Sequence, residues 1–185
     1  SLRPNEDKLV FSVVFEMNMA AVISNIWIGK AVIHSDKRFS YEDAQEALEN
    51  PMEFSEILGN LNTMAKTLRN ERFKKGAFNF ETNEVKFNLD ENGKPIGVYQ
   101  KVRKDAHKLI EEFMLLANKK VAEYVYHRNP EVEKDPEKAF TMVYRVHEPP
   151  NPTKVETFSK FVAKMGFPIK TTTNQQLASS LNGLI

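Results

Sequence analysis

The chain has 185 residues, 41% of them hydrophobic and 28% charged, enough for one domain with a sizeable core or for a large piece of a bigger one. Its 26 basic and 25 acidic residues nearly cancel, which argues against a simple polyanion-binding surface while leaving room for a local basic channel. Cysteine is absent, so there is no disulfide framework, thiol nucleophile or thiolate metal site, a composition that suits a reducing cytoplasm; no 18-residue apolar run is present to span a membrane.

The start, SLRPNEDKLVF, is polar and shows no signal-peptide pattern. Residues 9–16 and 21–34 are rich in Val, Ile and Phe and predict an antiparallel pair of strands. Ser40 followed by Asp43 matches a capping box, so a short helix should run to about Glu49 and stop at Asn50–Pro51. Ile57, Leu58, Leu61, Met64, Ala65 and Leu68 recur at spacings of three and four and predict a longer helix with one buried face, ending at Gly76. EVKFNLDENGKPIGVY alternates apolar and polar residues around Asn92–Gly93, a hairpin pattern. A third long helix is expected over 103–126, then a charged, proline-bearing flexible surface connection at 127–138. FTMVYRVH reads as a strand or extended segment. A helix near 152–165 should turn Phe158, Phe161 and Val162 inward and Ser159, Lys160 and Lys164 outward, and another should start near 174. The fold class is α+β, an antiparallel sheet packed against several long helices. A first residue that is not Met and an apolar end point to a piece cut from a longer protein.

Few residues announce chemistry. His107 and Glu111 sit at i and i+4 and can reach one ion, but no third ligand is specified nearby. The run LRNERFKKG gathers Arg69, Arg72, Lys74 and Lys75 at a helix C-terminus; these complement the helix dipole or, on a sharper reading, contact phosphates. Phe78 and Phe80 follow, either as core or as stacking platforms for bases. In LIEEFMLLAN, about 100° per residue sets Ile110, Met114, Ala117 and Val121 on one face. Glu111 and Asn118 then lie at its margin, with Glu112 in solvent beside Lys119 and Glu123. A carboxylate at that margin either pairs with His107 or a backbone group, or faces a ligand groove.

Five ordered blocks, SLRPNEDKLVFSVVFEM, VIHSDKRFSYEDAQ, LRNERFKKGAFNFETNEVKFNLDENGKPIGV, RKDAHKLIEEFMLLANKKVAEYV and YRVHEPPNPTKVETFSKFVAKMGF, resemble the ribonuclease II / ribonuclease R family over nearly the whole chain, with the closer likeness to bacterial ribonuclease R. The resemblance implies the central part of a single catalytic domain of RNB type, an incomplete portion of it truncated at both ends. It also implies a processive, magnesium-dependent 3′→5′ exoribonuclease that releases nucleoside 5′-monophosphates from single-stranded RNA. By resemblance, Tyr41 matches a tyrosine of the ribose contacts that favour RNA, Glu111 the acidic residue that works with it, and Phe80 an aromatic that stacks at the far end of the bound bases. His107 and Asn118 are expected as supporting polar groups on the Glu111 edge. The family's metal-binding aspartates lie upstream of SLRPNED and its cleavage-supporting arginine lies beyond Ile185. The chain alone is therefore expected to hold no catalytic residue or metal ligand and to be inactive. The competing expectation is an inactive RNA-binding or protein-interaction domain of the same descent. Single-stranded RNA is the expected partner and a membrane is not, and exposed apolar surface offers a route to a non-physiological dimer.

Overall fold

The structure, a computed structural model, describes residues 2–78 and 84–184. Among these residues the elements in chain order are β1 (Asp7–Met17), β2 (Ile23–His34), α1 (Tyr41–Glu49), α2 (Ser55–Lys74), β3 (Glu84–Leu89), β4 (Pro95–Lys101), α3 (Asp105–His127), a 3-10 turn (Pro136–Lys138), α4 (Pro152–Lys164) and α5 (Asn174–Asn182). The class is α+β, as expected, with the antiparallel β-structure divided into two two-stranded ribbons, β1–β2 and β3–β4. The chain separates into two compact units, Ser1–Leu68 with Lys104–Tyr144, and Arg69–Arg103 with Arg145–Ile185.

In the first unit, β1 and β2 pair from Asp7↔His34 to Met17↔Ile23, with an irregularity at Glu16/Met17. The turn holds Ala21 at φ +58 in place of a glycine, and the Asn18 side chain accepts hydrogen bonds from the amides of Ala20 and Val22 and closes the loop from within. Gly29 accommodates a close approach. A Cβ there would lie 2.6 Å from the Trp27 ring, which rests over this position on the same face of the strand. The capping box at α1 forms: Ser40 Oγ accepts from the Asp43 amide at 3.0 Å, and the Asp43 carboxylate accepts from the Ser40 amide at 3.3 Å. Asn50 ends the helix in extended geometry ahead of Pro51.

α3 spans Asp105–His127, but its buried side is not the expected one. Ala106, Leu109 and Glu112 are buried, whereas Ile110 is 44% and Met114 59% exposed. Glu112, expected in solvent, is only 3% exposed, while Glu111 is half-buried and Asn118 exposed. The apolar arc of LIEEFMLLAN is wide enough to offer two faces, and contacts at the helix start select the Ala106–Leu109 one. The segment 127–138 closes on itself: Asn129 Nδ2 donates to the Lys138 carbonyl at 2.8 Å, Asn129 Oδ1 accepts from the Glu131 amide, and Val132 is buried beneath. FTMVYRVH then runs without regular secondary structure, with Val143 and Val146 well exposed.

The second unit is organised around the C-terminus of α2. Gly76 ends the helix at φ +96, and a Cβ there would also press to 3.2 Å from the Gln175 backbone. Two side chains of α5 satisfy carbonyls that the helix cannot: Gln175 Nε2 donates to Lys74 O, and Asn182 Nδ2 to Ala77 O. In the β3–β4 hairpin, Asp90 Oδ1 accepts from the amides of Asn92 and Lys94 while Gly93 takes φ +79. α4 corrects another expectation. Val162 is buried as anticipated, but Phe158 and Phe161 are exposed and Ser159 is half-buried. Val155 and Ser159 instead share a groove with Thr171, Asn174 and Leu177, so α4 turns its Val155–Ser159–Val162 line toward the start of α5.

Candidate functional site

The capping box fixes where α1 begins and so makes Tyr41 its first helical residue. Tyr41 and Gln45 stand one turn apart on the same side of that helix. Gln45 is buried, and its Oε1 accepts the Ala106 amide at 3.0 Å while its Nε2 donates to Glu49 at 2.8 Å. The Ala106 amide belongs to the first turn of α3, which has no partner within the helix, and the N-cap residue Lys104 supplies no side-chain bond. A residue of α1 therefore caps α3. The next residue of α3, His107, lies flat against Tyr41, with ring centroids 4.2 Å apart and planes inclined by 9°. α2 adds a third attachment: Lys66 Nζ lies 2.7 Å from Asp105 Oδ2, and Asn62 Nδ2 donates to the same oxygen at 3.3 Å. The Lys66 hydrogen bond holds the Asp105 carboxyl below its ordinary pKa, against the opposing effect of burial.

These attachments border a groove of about 600 Å³ whose walls include Arg38, Phe39, Tyr41, Leu58, Leu109 and Ile110. Most of the wall is apolar, with Arg38 and the Tyr41 side chain among its polar groups. Tyr41 is 45% exposed, so one side of it stays accessible while the other is covered by His107. Glu111 follows His107 by one turn along the same edge of α3, half-buried. Asn118 is two turns further, exposed, about 10 Å along the axis from Glu111. The structure thus joins Tyr41 to His107 and sets Glu111 next in line, while Asn118 stands apart. Phe80 lies outside the described residues. Among the described residues no three His, Asp or Glu side chains are placed to share a metal ion. In the basic run, Arg69 and Arg72 lie over the Phe73 ring at 4.9 and 5.2 Å, and Lys74 pairs with Glu71 at 2.7 Å.

Residues 1–184 match the profile of the RNB domain. The chain belongs to the RNB domain family. DIS3-like exonuclease 2 of Caenorhabditis elegans is 36% identical to this RNB chain over 98% of its length, a stretch that covers 22% of the relative. Ribonuclease R of Aquifex aeolicus is 33% identical over 92% of the chain and 24% of the relative. The RNB chain therefore spans about a quarter of the length of these curated relatives. Its fold superposes on Mycoplasma genitalium RNase R, solved in complex with ribose-methylated single-stranded RNA, with a TM-score of 0.81 at 24% identity over 99% of this chain and 29% of that one.

Within this RNB segment, reasoning from sequence missed Gln45, Asn62 and Lys66, which position the start of α3. A signal for Gln45 was present. An amide flanked by Ala44, Ala47 and Leu48 on a short helix needs a buried partner. The Lys66–Asp105 pair, far apart in the chain, carries no comparable local pattern.

Proposed function

We propose that this chain is the central part of the catalytic domain of a processive, magnesium-dependent 3′→5′ exoribonuclease, and that it contributes contacts to a channel for single-stranded RNA. The observation that carries the reading is the RNB match over 1–184 together with the Tyr41–His107–Glu111 edge. A phenolic hydroxyl that donates and accepts, next to a carboxylate that only accepts, suits a ribose 2′-hydroxyl, the group that separates RNA from DNA. Phe80, by the same reading, stacks on a base, and His107 supports the Glu111 edge.

On this reading, as the family resemblance implies, the magnesium ligands are aspartates upstream of SLRPNED in the parent enzyme. The isolated chain accordingly does not hydrolyse RNA. The test is a time course with 5′-labelled single-stranded RNA. The full-length protein should shorten it stepwise from the 3′ end, releasing 5′-monophosphates in magnesium and none in a chelator, while the isolated chain leaves it intact. A full-length protein that binds the RNA without shortening it would favour the inactive-descendant reading. The isolated chain should also self-associate through the exposed apolar side chains of its ribbons, among them Leu9, Phe11, Val32, Phe87 and Val98. A single monomeric species throughout a sedimentation-velocity dilution series would refute that.

A further inference from the structure

Tyr41 stands at the start of its helix, where only the first turn and whatever packs on the ring restrain the side chain. Nearly half of it is exposed. Left alone, such a ring would exchange among rotamers and its hydroxyl would sweep a wide arc. Two contacts prevent this. The His107 imidazole lies nearly parallel to the Tyr41 ring, inclined by 9° at 4.2 Å, a geometry that restrains tilting of the ring about its bond to Cβ. One turn along α1, buried Gln45 binds the amide of Ala106, the residue just before His107. The ring contact and the amide contact therefore join consecutive residues of α3 to positions one turn apart on α1. His107 is also carried on the same helix edge as Glu111, four residues on. The stack thus sets Tyr41 with respect to the helix that bears Glu111.

We propose that His107 is a positioning residue for sugar recognition: its stack on Tyr41 holds the phenol in the orientation that reads the ribose 2′-hydroxyl beside Glu111. This inference rests on the reading of Tyr41 given above and adds to it the group that acts through Tyr41. Flatness and aromaticity are what the role demands. A side chain of similar bulk without a π-face keeps the packing and loses the orientation, whereas another flat ring keeps both.

The experiment measures dissociation constants of the full-length protein for single-stranded RNA and for DNA of the same sequence, in chelator so that neither is cut. Preference for RNA is the constant for DNA divided by the constant for RNA. Tyr41→Phe should lower that ratio by about tenfold, the scale of one lost hydrogen bond to a desolvated group. His107→Leu should lower it by a similar factor with DNA affinity unchanged, and His107→Phe should restore it. In the Tyr41→Phe background, His107→Leu should have no further effect on the ratio, because both act through one hydroxyl. If His107→Leu weakens RNA and DNA binding in step, or if His107→Phe fails to restore the preference, His107 is packing only and the proposal falls. An unchanged ratio in Tyr41→Phe would overturn the underlying assignment of Tyr41, and a lowered ratio there with a wild-type ratio in His107→Leu would overturn the positioning role alone.

Discussion

Single side chains in this chain carry loads that their chemistry makes measurable. The Gln45 carboxamide binds the Ala106 amide, so Gln45→Ala leaves a buried donor unsatisfied and should cost about 1–3 kcal/mol in urea unfolding, where a surface glutamine costs almost nothing. Ser40→Ala removes one half of the capping box and should cost about 1 kcal/mol by the same assay. Gly29→Ala pushes a methyl into the indole of Trp27, the one tryptophan of the chain. Trp27 sits on an exposed ribbon and can swing aside, so the expected result is a red-shifted emission with little loss of stability; an unchanged spectrum would contradict the close approach. At this scale the local motifs were legible in the sequence. Ser40 with Asp43 spelled a cap, and Asn92–Gly93 a hairpin turn, because both use contacts between residues a few positions apart. Gln45 was not legible in the same way, because its partner lies 61 positions away.

Elements were legible in their extent and less so in their orientation. The expected third helix, 103–126, and the observed Asp105–His127 differ by a residue or two at each end. Its observed rotation differs from the expected one, since Leu109, Ile110, Phe113, Met114, Leu116 and Ala117 leave more than one apolar line to bury. Periodicity within a helix reports that a face exists; which of two faces is used depends on partners such as Gln45, Asn62 and Lys66, supplied by other elements. α4 repeats the lesson, with Val155–Ser159–Val162 turned toward α5 in place of the bulkier Phe158 and Phe161. The attachment of α3 to α2 has a pH signature. The Asp105 carboxyl is held below its unfolded value, so its contribution to stability is full above the unfolded aspartate pKa of about 3.9 and is lost as pH falls through the lower folded value. The stability difference between wild type and Asp105→Asn should therefore be greatest near neutrality and shrink on acidification. A difference that stays constant from about pH 7 down to about pH 3 would contradict the Lys66–Asp105 assignment.

For the whole molecule, charge balance and composition said little beyond solvent-compatible globular structure, and no helix among the described residues is long and apolar enough to cross a membrane. The ordered blocks of similarity carried the family, and the RNB match over 1–184 bears them out. The division into two units was invisible in the sequence, because α2 runs through the boundary without a linker. The Tyr41–His107–Glu111 edge lies in the first unit, on α1 and α3, and the central proposal is that it reads the sugar of single-stranded RNA. The most direct measurement is the affinity of the full-length protein for matched RNA and DNA strands before and after the double change Tyr41→Phe, Glu111→Gln. RNA affinity should fall by roughly tenfold or more while DNA affinity holds, so that the preference for RNA collapses. A double variant that retains the wild-type preference would contradict the proposal.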